Sequence, residues 1–237
     1  GNVANYTYGY GIPLPSDVTR TGYTFDGWYA DKDCATARVT RISESKTGNL
    51  TFYANWNVNS YIVTLETNGG VINSGNVERY TYGKGATLPT NVTRDGYTFG
   101  GWYTNSSYLG SDVQSISSTE IGDKAFYANW LVNSYSITLE PNGGTINNGN
   151  VKNYIYGTTV ILPSDVTKTG FTFDGWYDNA EFEGERVAMI SSVELGNKAF
   201  YANWIVNSYN VTLVTNEGTI AEEQNIERYE YGKGATL

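Results

Sequence analysis

Apolar residues recur at every second position in short runs along this chain. Tyr61-Ile-Val-Thr-Leu65 puts Tyr61, Val63 and Leu65 on one face of an extended strand. Tyr135, Ile137, Leu139 and then Tyr209, Val211, Leu213 keep the same face apolar. Asn68-Gly69 and Asn142-Gly143 follow these runs, and both residue types tolerate positive φ, so a tight turn is predicted there. Asn216-Glu217-Gly218 is a weaker version of the same signal. The returning strand is Val77–Tyr82, with Tyr80 and Tyr82 sharing a face. Leu88-Pro-Thr-Asn-Val92 reads as a short helical turn, because proline with Thr and Asn favours turns over strands. A strand at Tyr97–Tyr103 comes next, and the glycine before its Trp predicts a bulge or a close backbone approach. After a variable stretch, Ser117-Ser-Thr-Glu120 and Ser191-Ser-Val-Glu194 match the capping-box pattern and predict a short helix. Phe126–Trp130 closes the unit, with Phe126, Ala128 and Trp130 on one face.

The pattern is periodic. Phe-Tyr-Ala-Asn-Trp begins at Phe52, Phe126 and Phe200, a step of 74 residues. Gly27-Trp-Tyr, Gly101-Trp-Tyr and Gly175-Trp-Tyr keep the same step. The chain is therefore a tandem array, read as a partial unit lacking its first strand (1–58), complete units at 59–132 and 133–206, and a first hairpin at 207–237. The fold class expected from the elements alone is β-rich α+β. Only Asn57–Ser60, Leu131–Ser134 and Ile205–Ser208 join neighbouring units, which predicts a fairly stiff row of beads, with Val58, Val132 and Val206 packed between neighbours.

Composition narrows the chemistry. A single cysteine forbids an internal disulfide, and the absence of histidine removes the commonest ligand for zinc, copper and haem. Aromatics make up 15% of the chain, which suits small units that must bury much area with few residues. A net charge of −9 without basic clusters argues against nucleic acid and anionic membranes as partners. No apolar run reaches membrane-spanning length, so this segment is not expected to insert.

Candidate sites are few. Cys34 aligns with Tyr108 and Phe182, so its position selects apolar bulk and not a nucleophile. Asp31 with Asp33, and Glu181 with Glu183 and Glu185, lie in the variable loop and are not repeated, which reads as a solvated loop. Asn55, Asn129 and Asn203 repeat, but the first strands carry no lysine for an isopeptide bond. Charges drift between copies: Asp26 and Asp174 align with Gly100, and Arg38 and Arg186 with Asp112. Tyr53, Tyr127 and Tyr201, in the middle of the closing strand, are the candidate ligand contacts, because their face is opposite to that of Phe and Trp. No catalytic residue, cofactor or metal is expected.

The run Gly-Tyr-Thr-Phe-x-Gly-Trp-Tyr followed by Tyr-Ala-x-Trp resembles the Listeria–Bacteroides repeat, also called the internalin B-repeat. It stands at Gly22–Tyr29 with Tyr53–Trp56, at Gly96–Tyr103 with Tyr127–Trp130, and at Gly170–Tyr177 with Tyr201–Trp204, where Phe171 replaces the first Tyr. The resemblance implies small β-grasp-like, ubiquitin-like units in tandem within bacterial surface or secreted proteins. The function it implies is a non-enzymatic stalk or spacer. The alternative is a multivalent adhesion module binding glycan or host protein through equivalent weak sites. The incomplete end units add one further expectation, head-to-tail self-association by strand pairing between the last hairpin of one chain and the first unit of another.

Overall fold

The structure is a computed structural model, and it describes residues 2–221 and 226–234. Chain contacts divide it into two compact units. One comprises residues 1–94 with 99–130, and the other residues 95–98 with 131–237.

The second unit contains the repeat at 133–206 whole. Its first strand, Ser134–Glu140, runs parallel to the closing strand Lys198–Val206, with Ile137 opposite Lys198 and Leu139 opposite Phe200. Phe171–Tyr177 lies antiparallel on the far side of the closing strand, and Asn153–Ile155 antiparallel on the far side of the first strand. In the first unit the same ladders recur: Ser60–Glu66 parallel to the closing strand Lys124–Val132, and Arg79–Thr81 antiparallel to Ser60–Glu66. Short two-residue strands complete each repeat. Ala86–Thr87 pairs with Ser115–Ile116, and Val71–Ile72 pairs with Val92–Thr93.

One face of each sheet is dry. Val63, Tyr80, Leu88, Val92, Trp102, Ile116, Phe126 and Ala128 form one core, and Ile137, Tyr154, Leu162, Val166, Trp176, Ile190, Phe200 and Ala202 form its counterpart. The closing strand supplies Phe126 and Ala128 to it, with Trp130 packed alongside, as the alternation requires. Each core tryptophan also has a polar partner. Trp28, Trp102 and Trp176 donate their ring N–H to the carbonyls of Pro15, Pro89 and Pro163, all at 2.7 Å.

The fold class expected from the sequence is overturned. Among the described residues there is no helix, so the units are all-β and are neither α+β nor β-grasp-like. Two local causes can be named. Leu88–Asn91 forms no helical turn: Leu88 is buried, the Pro89 carbonyl is turned to receive Trp102, and the Val92 N–H closes on the Thr90 carbonyl at 3.0 Å. Ser117–Glu120 closes as a single turn, with the Glu120 N–H on the Ser117 carbonyl at 3.2 Å. The Glu120 carboxylate reaches forward to Lys124 at 2.6 Å and does not cap backward. With no helix to cover it, the core is closed by the two-residue ladders.

Asn68 and Gly69 have φ of 50° and 87°, and the Gly70 N–H closes on the Thr67 carbonyl at 3.0 Å. The turn forms as predicted, yet the chain leaving it pairs with Val92–Thr93 and not with the strand that entered it. The bulge predicted before Trp falls between Phe25 and Gly27 and between Phe173 and Gly175. In the final segment Ser208–Asn210 pairs with Arg228–Glu230, while residues 222–225 of the expected hairpin lie outside the described residues.

The joint between repeats is built by asparagine. Val58, Val132 and Val206, expected between neighbours, are exposed. Asn59 instead donates its backbone N–H to the Gly22 carbonyl at 2.9 Å and accepts from the Tyr82 N–H at 3.0 Å. Its side-chain oxygen takes the Thr24 hydroxyl at 2.6 Å. Tyr82 then covers Gly22, where a Cβ would stand 2.2 Å from the ring and the backbone holds φ of +76°. Only glycine satisfies both conditions. Asn133 with Gly96, Thr98 and Tyr156 repeats this set, and so does Asn207 with Gly170, Thr172 and Tyr231.

Candidate functional site

The three tyrosines singled out from the sequence occupy the outward side of the closing strand. Tyr53 is 37% exposed, and Tyr127 and Tyr201 are half-buried. Tyr201 has Glu140 and Tyr177 as its neighbours across the sheet. It also lines a cleft of about 390 Å³, together with Asn142, Lys168, Phe171, Phe182 and Trp204. This cleft is what the outward face of the third copy offers to a ligand.

Each wall of the cleft has a local origin. Asn142 is the left-handed residue of the turn after the first strand, with φ of 49°, and its side-chain N–H reaches the Ala202 carbonyl at 2.8 Å. Phe182 also has positive φ, 59°, in a loop tied by Asn179, whose side chain bonds both the N–H and the carbonyl of Glu183. That rotation lays the Phe182 ring edge-on to Tyr177, with centroids 5.8 Å apart. Lys168 donates to the Asn142 carbonyl at 2.8 Å and stands 4.5 Å above the Phe171 ring.

Lys168 was not apparent as a site residue from the sequence. The signal was present: Arg20, Arg94 and Lys168 fall at one register position, so a positive charge persists in all three copies. Arg20 lies 3.8 Å over the ring of Tyr23, and Arg94 lies against the Gly69 turn.

A second polar cluster sits at the bulge. Asp174 is paired with Arg186 at 2.7 Å, and accepts from the Tyr177 hydroxyl at 2.9 Å and the Asn203 amide at 3.1 Å. Asp26 is held the same way by Tyr29, Arg38 and Asn55. The Tyr29 hydroxyl, with Arg38 and Asn55 behind it, keeps the Asp26 carboxyl below its ordinary range. The same tyrosine raises the Arg38 guanidinium, as Tyr177 raises Arg186. In the second copy Gly100 replaces the acid and Asp112 replaces the base, so both members of the pair are lost together. What reads along the sequence as drifting charge is a coupled replacement. Each carboxylate serves as the shared acceptor of its cluster and so pins the bulge, and for Asp26 these donors favour the ionised form.

The loop acids and the thiol have structural partners. Asp31 accepts from the Thr36 hydroxyl and from the N–H groups of Ala35 and Thr36, which lowers its pKa, the Thr36 hydroxyl acting most strongly. Cys34 has φ of 54°, and burial followed by the charge of Asp31 pushes its thiol up. Among the described residues no group of three His, Cys, Asp or Glu side chains is placed to hold a metal ion. A wider groove of about 700 Å³ runs past Leu14, Ile42 and Phe52 in the first copy. Those residues stand where Leu88, Ile116 and Phe126 surround Val63, so its lining is that of the core.

Comparison with known proteins adds the family. The Listeria-Bacteroides repeat domain matches residues 2–55, 61–129 and 135–203. A provisionally named membrane protein of Evansella cellulosilytica is 32% identical over 95% of the chain, and a provisionally named Gly-rich membrane protein of the same organism is 30% identical over 91%. Internalin H of Listeria monocytogenes is 35% identical over 39% of the chain. The matched regions span 33%, 24% and 16% of these relatives, respectively. No solved structure matches at a significant level. Among the described residues no helix is long and apolar enough to cross a membrane. The phased motifs, the recurring core and these matches together establish that the chain belongs to the Listeria-Bacteroides repeat family, in three tandem copies.

Proposed function

We propose that this chain is a non-enzymatic spacer segment of a bacterial cell-surface or secreted protein. The observation that carries the reading is the joint. Gly22, Asn59 and Tyr82 make the same hydrogen bonds and ring contact as Gly96, Asn133 and Tyr156, and as Gly170, Asn207 and Tyr231. A joint repeated in this detail fits a chain in which the link between neighbours is held by bonds and not left slack. The polar side chains of the cluster at the bulge are committed to one another, which fits a chain selected for shape. The occurrence of the repeat in an internalin and in proteins named for membranes supports the cell envelope as its setting.

An adhesive role through three equivalent sites has less support, because Cys34, Tyr108 and Phe182 make the same position chemically different in each copy. Spin labels at Lys46 and Ser111, both exposed, placed in a Cys34→Ser background, would report the spread of distance across the first joint. A narrow distribution that broadens in Gly22→Ala is expected. A broad distribution in the parent chain would refute the spacer reading.

A further inference from the structure

The copies differ at one point on their outward face, and the difference decides whether hydrogen-bond donors are free. In the second copy the Asn68 side-chain amide donates to the Ala128 carbonyl at 2.8 Å and to the Tyr108 hydroxyl at 3.1 Å. Both of its hydrogens are used. In the third copy Asn142 keeps the bond to Ala202 at 2.8 Å, but Phe182 has no hydroxyl to take the other hydrogen. Among the described residues that second N–H has no partner, and Asn142 is exposed. Lys168, bonded to the Asn142 carbonyl at 2.8 Å, has two further N–H donors beside it. Phe182 and Tyr201 line the same cleft.

We propose that the cleft of the third copy is a carbohydrate subsite that takes one neutral hexopyranose unit of a glycan. A pyranose has an apolar face of C–H groups, which suits the rings of Phe182 and Tyr201, and a rim of hydroxyls. Those hydroxyls accept from the Asn142 side-chain N–H and from Lys168 Nζ. The cleft, at about 390 Å³, is near the lower end of small-molecule sites and has room for one sugar ring with its neighbour's edge. The ligand is neutral because Glu181 and Glu183 flank Phe182 and repel a carboxylate or sulfate, so that Lys168 serves as a donor and not as the counter-charge of an acid sugar. Among the described residues the Tyr108 hydroxyl closes the equivalent position in the second copy. The site is independent of the spacer role, which rests on the joint.

The test is a titration of the full chain, followed by amide and side-chain NMR, with maltose, lactose and mannobiose as probes. Binding on the order of millimolar is expected for at least one of them, as befits a shallow site contacting one ring. The shifts should centre on the Asn142 side-chain amide, Lys168 and Tyr201. Phe182→Tyr, which restores the hydroxyl present in the second copy, should weaken that binding roughly tenfold while leaving the remaining spectrum unchanged. Should Phe182→Tyr disturb the fold, Lys168→Met, which removes the other donor, should weaken binding in the same way. The inference is overturned if none of the three sugars shifts the third copy, or if the variant binds as the parent chain does.

Discussion

Tyr82 stands edge-on to Tyr23, with centroids 5.7 Å apart and planes at 74°, over the bare backbone of Gly22. One ring thus reads the absence of a side chain in the preceding repeat. The pair Tyr97 and Tyr156 has the same separation and angle.

Gly96→Ala should damage the joint without touching either core. Its Cβ would lie 2.1 Å from the Tyr156 ring, and its φ is +75°. A loss of about 2 kcal/mol or more is expected in denaturant unfolding. Gly122→Ala, also at positive φ but with open space around it, should cost about 1 kcal/mol. Equal losses in the two variants would show that the ring contact contributes nothing.

Acid should loosen the first bulge. Because the folded pKa of Asp26 is lowered, its contribution to stability is complete above the ordinary carboxylate value of 3.8 and is lost as pH falls through the depressed folded value. A carboxyl-carbon titration should therefore place Asp26 below 3.8. In Tyr29→Phe, which removes the leading cause, the midpoint should move up towards it.

The acid–base pair of the first and third copies should be transferable to the second. Gly100→Asp and Asp112→Arg each introduce an unmatched group into the second copy, whereas together they reproduce the Asp174–Arg186 pair. The double variant is expected to be more stable than the sum of the single effects, as measured in a double-mutant cycle. Strict additivity would mean that the pairing carries no energy.

Trp102→Phe should expose what the proline carbonyl does. It leaves the Pro89 carbonyl without its 2.7 Å donor in a buried site, at a cost of about 1–3 kcal/mol beyond the lost ring volume. Trp28→Phe should cost less, because Trp28 is only half-buried. Thermal unfolding of the two variants side by side makes the comparison.

Local features were legible in the sequence wherever a single residue type dictates geometry. Period-two alternation found the inward face of Phe126 and Ala128, Asn68-Gly69 found the turn, and Gly before Trp found the bulge. Features that depend on a distant partner were not legible. Ser117–Glu120 has the letters of a helix cap, but Lys124 claims the glutamate. Leu88-Pro89 has the letters of a helical turn, but Trp102 needs the carbonyl. Hydrophobicity points to the valines at the joint, while the asparagine beside each one makes it through its backbone and its side-chain oxygen. In the cleft, Tyr201 was found by strand parity. Lys168 is hidden among charges that vary from copy to copy, and only its persistence with Arg20 and Arg94 marks it.

The parallel pairing of the first and closing strands has a mechanical consequence. Tension on a repeat enters at the start of Ser60–Glu66 and leaves at the end of Lys124–Val132. Because the two strands point the same way, such tension slides them past one another. The ladder from Val63–Lys124 to Glu66–Tyr127 is therefore loaded in shear, all of its bonds at once, and cannot be unzipped one bond at a time. Ser134–Glu140 against Lys198–Val206 carries load in the same way, so the second and third copies each resist extension through their own terminal strands.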